Sequence, residues 1–203
     1  MQKKILNKNL IFLIIFFLIA SCSSVPKYPQ NACKIFGEKY FYLKYTRAAS
    51  KKWGAPISSI LAVINKESGF RRFAKPKRTK LFKIIPYRRP SSSLGFSQAV
   101  VKTFDLYKKE NNKPLALRIS FRNSSDFIGW YFWKTNKINK VSLNDTRNMY
   151  LNYYLGWQAY KNKAYQTDKK AIIFAKSVEK QAKIYKSQLQ ECKSVLNKSY
   201  IIF

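Results

Sequence analysis

Seven positions near the C-terminal end, Ala171, Ala175, Val178, Ala182, Tyr185, Leu189 and Cys192, follow a strict 4-3-4-3-4-3 spacing. That period puts all seven on one face of a single long helix. The same period runs through most of the chain. Cys33, Phe36, Tyr40 and Leu43 start a first helical stripe. Ile57, Ile60, Leu61 and Ile64 mark another, with Pro56 placed for its start and Gly69 for its stop. Residues 97–111 carry Val100, Val101, Phe104 and Tyr107 at helical offsets. Ser124, Ser125 and Asp126 read as an N-cap cluster before Phe127, and residues 146–160 are aromatic on nearly every side, as in a buried helix. No stretch alternates with period two for long; residues 81–85 are the one short strand candidate. The expected architecture is mainly α.

Composition narrows the class. The chain has 203 residues, 46% of them hydrophobic, and a formal charge of +31 from 40 Lys+Arg and 9 Asp+Glu. A disordered polybasic tail would lack the core-forming residues. The length suits one domain with its own core. There is no histidine, which removes histidine-based catalysis and histidine metal ligands. The three cysteines contain no CxxC pair, so neither a metal site nor a cofactor is expected.

The first residues read as an address. Lys3, Lys4 and Lys8 precede an unbroken apolar run over residues 10–20, too short to span a bilayer and of the length of a signal h-region. It ends Ile19-Ala20-Ser21-Cys22, which resembles a bacterial lipobox. Residues 1–21 are thus expected to be a lipoprotein signal peptide, with Cys22 lipidated and residues 22–32, containing Pro26 and Pro29, a membrane tether. Ser23 rather than Asp after the cysteine favours, by analogy, the periplasmic face of the outer membrane. Two cysteines remain, Cys33 and Cys192. In an exported chain an even remainder favours a disulfide over two buried thiols, and both lie on apolar stripes.

Between the second stripe and residue 97 the chain is irregular. Residues 71–96 hold Arg71, Arg72, Lys75, Lys77, Arg78, Lys80, Lys83, Arg88 and Arg89 and no acid. So long a connection inside a compact domain is uncommon and often functional. Among the nine acids, Glu67 stands out. With Ile57 at zero and about 100° per residue, it falls near −80°, at the edge of the stripe of Ile60, Leu61 and Ile64. A carboxyl there is partly withdrawn from water, which raises its pKa and suits it to protonate a leaving oxygen. On periodicity alone, a surface Glu in the last turn beside Lys66 is the favoured reading.

The neighbouring motifs tilt the balance. Glu67-Ser68-Gly69-Phe70 is followed by Gly95-Phe96-Ser97-Gln98 and then by Tyr150-Leu151-Asn152-Tyr153-Tyr154-Leu155-Gly156. In that order they resemble the SLT-type lytic transglycosylases of the goose-type lysozyme-like fold. Arg89-Pro90-Ser91-Ser92, Phe127-Ile128-Gly129-Trp130-Tyr131 and Cys192 look like a lipoprotein subgroup. The resemblance covers about Cys33 to Cys192, and the expected domain is 33–195, with 196–203 as a tail. It implies a lysozyme-like helical domain with one long basic insertion. Glu67 would be the single acid/base, cleaving the MurNAc–GlcNAc bond of peptidoglycan to leave a 1,6-anhydro end. Ser68 and Gln98 would bind substrate or shape the site, with Gly95 in the same motif. The Tyr153 hydroxyl would help hold the carboxyl, and Gly156 would let the chain pass close to the sugar. Tyr154, which stands where the family usually has Asn and the subgroup His, would bind substrate or shape the site, with plain aromatic packing of Tyr153 and Tyr154 the open alternative.

The expected partners are peptidoglycan strands and a membrane reached through the lipid anchor, with the protein a monomer. Nucleic acid is not expected: basic and aromatic residues are present without a binding motif, and export separates the chain from DNA and RNA. The basic segment is expected to form a wall of the substrate groove. A non-catalytic peptidoglycan-binding lipoprotein and a lysozyme-type hydrolase are the alternative readings. The hydrolase would need a second carboxylate near Glu67.

Overall fold

The computed structural model describes residues 25–82, 84–193 and 196. The expected signal peptide, the lipidation site at Cys22 and nearly all of the 196–203 tail lie outside the described residues. Among those described, eight α-helices make the fold: α1 (Ala32–Glu38), α2 (Tyr40–Trp53), α3 (Ile57–Ser68), α4 (Val101–Glu110), α5 (Phe121–Asn139), α6 (Thr146–Leu155), α7 (Trp157–Lys161) and α8 (Lys169–Glu191).

Local chemistry sets most of the boundaries. The Asn31 side chain accepts from the Lys34 N–H at 3.0 Å to open α1. Pro56, extended at φ −61°, precedes α3, and Gly69 at φ +56° ends it. Asp145 and Asp168 cap α6 and α8, accepting from Asn148 and Ala171 N–H at 3.0 and 2.8 Å. Four expectations shift. The first stripe divides into α1 and α2 at Lys39, which is not helical. The helix expected from residue 97 begins at Val101. Ser124, Ser125 and Asp126 lie inside α5, whose cap is Ser120, accepting from Asn123 N–H at 3.4 Å. The aromatic helix breaks at Gly156, whose φ of +87° turns the chain from α6 into α7.

Helix α3 is the centre of the molecule. Every residue from Ser58 to Ile64 is buried, so both its polar and its apolar sides face protein. It packs against α2, α5 and α8. The hydroxyls on its inner side are satisfied, Ser59 Oγ lying 2.6 Å from Thr146 Oγ1 on α6. Helix α8 lays Ala171, Ala175, Val178, Ala182 and Tyr185 against α3 and α6, and all five are buried. Gly129 lets α5 close on α2, since a Cβ there would stand 2.7 Å from the Trp53 ring. Cys33 and Cys192 are joined, with Cα atoms 6.1 Å apart, fastening α1 to the end of α8 across 159 residues of chain.

The basic segment has local order. Lys80–Leu81 (β1) pairs antiparallel with Ile85–Pro86 (β2), so the single strand expected over 81–85 is instead the tip of a small hairpin, with Leu81 opposite Ile85. The Thr79 N–H donates to the Arg88 carbonyl at 2.9 Å, and the Tyr87 N–H to the Thr79 carbonyl at 2.7 Å. No helix among the described residues is long and apolar enough to cross a membrane.

Candidate active site

Glu67 sits in the last turn of α3, where the helix leaves the core. Burial pushes its carboxyl up from an ordinary 4.5 to about 7. Two opposing influences are outweighed: a hydrogen bond from the Tyr150 hydroxyl, 2.8 Å from Oε1, and the charge of Lys66. Burial in turn lowers the pKa of Lys66, with Glu67 opposing that shift. The Lys66 ammonium lies 3.7 Å from the centroid of the Phe174 ring. The carboxyl is therefore balanced between its two protonation states near neutral pH, as an acid that must give and regain one proton requires.

Helix α6 supplies the facing side. Tyr150, Tyr153 and Tyr154, at i, i+3 and i+4, share one face of it. The ring of Tyr150 stacks on those of Tyr153 and Tyr154 at 6.3 and 6.2 Å. Burial, then the charge of Glu67, holds the phenols of Tyr150 and Tyr153 well above their ordinary pKa, so both stay hydrogen-bond donors. Their targets differ from the expectation. The hydroxyl on Glu67 is that of Tyr150. Tyr153 donates to the Ser97 carbonyl at 2.5 Å. One helix thus ties the Glu-Ser motif and the Gly-x-x-Gln motif together.

The Gly95–Gln98 stretch is a turn held from behind. A Cβ on Gly95 would stand 2.1 Å from the Arg118 carbonyl oxygen, and its φ is +78°, so only glycine fits. The Gly95 N–H donates to the Ala74 carbonyl at 2.9 Å. Gln98 adopts φ +48° and spends its amide group on the Ala74 and Gly95 carbonyls, both at 2.8 Å. What remains of that amide for a ligand is its Oε1 acceptor. The Arg118 guanidinium adds hydrogen bonds to the Ser92 and Ala99 carbonyls at 2.5 and 3.0 Å. Arg118 and Tyr150 are the two positioning residues that sequence reasoning passed over. The i, i+3 relation to Tyr153 was the one available signal for Tyr150, and Arg118 left none.

Glu67, Gln98, Tyr153, Tyr154 and Gly156 line one cleft of about 480 Å³, together with Ser91, Ser93, Thr103, Phe127 and Tyr131 among others. The Tyr154 ring is 38% exposed and meets the Phe174 ring edge-on at 5.7 Å. Gly156 leaves the space where its Cβ would be open, and its φ of +87° demands glycine. Ser68 stands elsewhere: it is buried and its hydroxyl donates back to the Ile64 carbonyl at 3.0 Å. Its part is to shape the end of α3, not to touch a ligand. Gly95 likewise acts from behind the wall. The basic segment lends the cleft Ser91 and Ser93 and none of the bases among its described residues, which departs from the expectation that they form a groove wall.

Glu67 is also the one acid lining that cleft. The other eight are engaged elsewhere. Asp126 accepts from Trp53 Nε1 at 2.9 Å, from the Tyr107 hydroxyl at 2.5 Å and from Lys113. Although burial alone would raise its pKa, these donors hold it below the ordinary carboxylate value. Glu110 takes Trp130 Nε1 and Lys134. Glu38 accepts from the Lys27 N–H, Glu191 from Ser187. Asp105 and Glu179 pair with Lys108 and Lys183. Asp145 and Asp168 are caps. A larger concavity of about 580 Å³ between α3 and α8 is lined by Asn65, Lys66, Lys180 and Gln181 among others, and by no acid. With no carboxyl in its lining, it is the weaker candidate, and the smaller cleft holding Glu67 is the candidate site.

The family described as transglycosylase SLT domain fits residues 10–192. No curated protein matches the chain.

Proposed function

The chain belongs to the transglycosylase SLT domain family, and on that premise we propose that it is a peptidoglycan lytic transglycosylase in which Glu67 alone carries the acid/base chemistry. The observation that carries this reading is the pairing of one cleft carboxyl, raised to about 7, with a cleft that holds no second acid.

The protonated Glu67 gives its proton to the oxygen linking MurNAc C1 to GlcNAc. The C1–O bond breaks, GlcNAc leaves with a free hydroxyl, and positive charge develops at C1. The Glu67 carboxylate then takes the proton of the MurNAc C6 hydroxyl as that oxygen bonds to C1. The second transfer restores the acid, so one carboxyl and no added water complete the reaction. A two-carboxylate hydrolase would need a partner roughly 5–9.5 Å away, which the lining of this cleft does not supply. The Tyr150 hydroxyl steadies the carboxylate between the two steps. Gln98 Oε1, the tyrosine face of α6 and the open backbone at Gly156 are placed to receive the sugars.

In the same reading the protein is exported, lipidated at Cys22, monomeric and held at the periplasmic face of the outer membrane. The Cys33–Cys192 bridge suits an oxidising compartment. The test is digestion of purified peptidoglycan: anhydro-muropeptides are expected, and Glu67→Gln abolishes them. Reducing-end products would make the protein a hydrolase. Binding without release would make it a non-catalytic peptidoglycan-binding lipoprotein.

A further inference from the structure

Outside the cleft, the most unusual surface is the hairpin of the basic segment. Its tip carries Phe82 and Ile84, 81% and 78% exposed, with Phe82 at φ +50°. Phe73 and Tyr87 beside it are 64% and 53% exposed. The bases around them are drawn against these rings: the Arg72 guanidinium lies 5.3 Å from the Phe73 centroid and that of Arg88 5.5 Å from Tyr87. Residues 71–89 contain nine Lys and Arg and no acid. Among the described residues the ion pairs draw on Lys108, Lys113, Lys134 and Lys183, and none draws on this segment.

We propose that this hairpin docks on an anionic phospholipid surface, with Phe82 and Ile84 entering the boundary between headgroups and acyl chains. The two features together select the partner. Bases alone would fit any anionic polymer, including the carboxylates of peptide stems or a nucleic acid. Two bare apolar side chains at a loop tip gain nothing from a hydrated polymer and gain from an apolar phase. Each base that reaches an anionic leaflet strengthens partitioning roughly five-fold. Arg beside Tyr or Phe is the pairing that suits an interface, with an apolar body below and a charged tip above.

A second observation places the same face toward the N-terminal entry of the chain. Val25, the first described residue, lines a concavity of about 480 Å³ with Arg71, Phe73 and Lys77, at the base of this segment. A surface approached by the N-terminal residues is thus approached by the hairpin as well. The segment continues through Ser91 and Ser93 into the cleft wall. Docking would fix how the cleft stands over the membrane. The inference is independent of the reaction assigned to Glu67 and survives if the cleft is inert.

The experiment uses the full chain with Cys22→Ser and Phe82→Cys, leaving one free thiol beside the Cys33–Cys192 bridge. That thiol is labelled with a polarity-sensitive fluorophore. A second chain carries the label through Ile84→Cys, and a third through Leu115→Cys, an 89% exposed position outside the segment. Vesicles of phosphatidylcholine with roughly a third phosphatidylglycerol are compared with pure phosphatidylcholine and with purified peptidoglycan. The expected result is a blue shift and a several-fold rise in emission at positions 82 and 84 on the anionic vesicles only, with little change at 115. Adding Arg78→Ser, Lys80→Ser and Arg88→Ser should return the signal to that on phosphatidylcholine. Equal responses at 82 and 115, equal responses on the two vesicle types, or a response to peptidoglycan in place of vesicles would each overturn the proposal.

Discussion

The Tyr150 hydroxyl donates to Glu67 Oε1 at 2.8 Å and so joins α6 to the last turn of α3. This bond favours the ionised carboxyl, while burial favours the neutral one, and burial wins. The two effects can be separated by substitution.

Tyr150→Phe keeps the ring and removes the donor. The pKa of Glu67 should then rise further, by about one pH unit for a hydrogen bond to a charged group. If the protonated acid is the active form, the alkaline limb of the pH–rate profile moves up by the same amount while kcat falls. A limb that stays in place would mean that Tyr150 only fills space.

Glu67→Gln should abolish turnover and also stabilise the fold, in a pH-dependent way. The folded-state pKa of about 7 exceeds the ordinary 4.5, so the native chain binds the proton more tightly than the unfolded one. The stability this confers is complete below about pH 4.5 and is lost as pH rises through 7. Gln, which cannot ionise, escapes the loss. Denaturant unfolding should give equal stabilities near pH 4 and an advantage to the variant at pH 8, at most about 3 kcal/mol. Equal stabilities at both values would contradict the burial of the carboxyl.

Gly95→Ala and Gly156→Ala separate two reasons for glycine. At Gly95 the new Cβ would meet the Arg118 carbonyl at 2.1 Å as well as sitting at φ +78°. At Gly156 only the positive φ matters, since the space is open. Expected losses are about 3 kcal/mol or more at Gly95 and about 1–2 kcal/mol at Gly156. Thermal or denaturant unfolding of both variants checks the order.

Opening the Cys33–Cys192 bridge, by reduction or by replacing both cysteines with Ser, should lower stability by roughly 5 kcal/mol as an upper figure, because it closes a very long loop. The bridge lies at the α1–α8 junction, away from the cleft lining. Under conditions where the reduced chain stays folded, kcat and KM should be unchanged.

Much of this was readable from spacing, and what was not has identifiable causes. The α8 stripe was legible because one helix face meets one continuous surface, so the period survives intact. Glu67 at the edge of the α3 stripe was legible for the same reason. Which tyrosine reaches it was not. Tyr150 and Tyr153 lie on one face, and the choice depends on how α6 crosses α3, which no local pattern encodes. The start of α4 was misplaced because Gln98 takes a left-handed conformation to bind the Gly95 carbonyl and that of Ala74, the latter 24 residues away in sequence. Asp126 looked like part of a cap, yet Trp53, Tyr107 and Lys113 claim its carboxylate. The small hairpin was hidden because two-residue strands leave too few positions for alternation to register.

The embedding of α3 divides the two walls of the cleft by their mobility. Amides from Ser59 to Ile64 lie in a helix surrounded by protein, so they should exchange with solvent only when the whole domain opens. Glu67 sits in the last turn of that helix and shares its rigidity. The opposite wall, from Ser91 through Gln98, has no helix of its own: its Phe96–Gln98 end is held by the buried Phe96 ring and by bonds to Tyr153 and Ala74, while Ser91 and Ser92 are exposed. On the proposed reading, the breathing a long glycan strand needs in order to enter would come from the exposed Ser91–Ser92 end of that side. The carboxyl can then stay still while the strand is threaded past it.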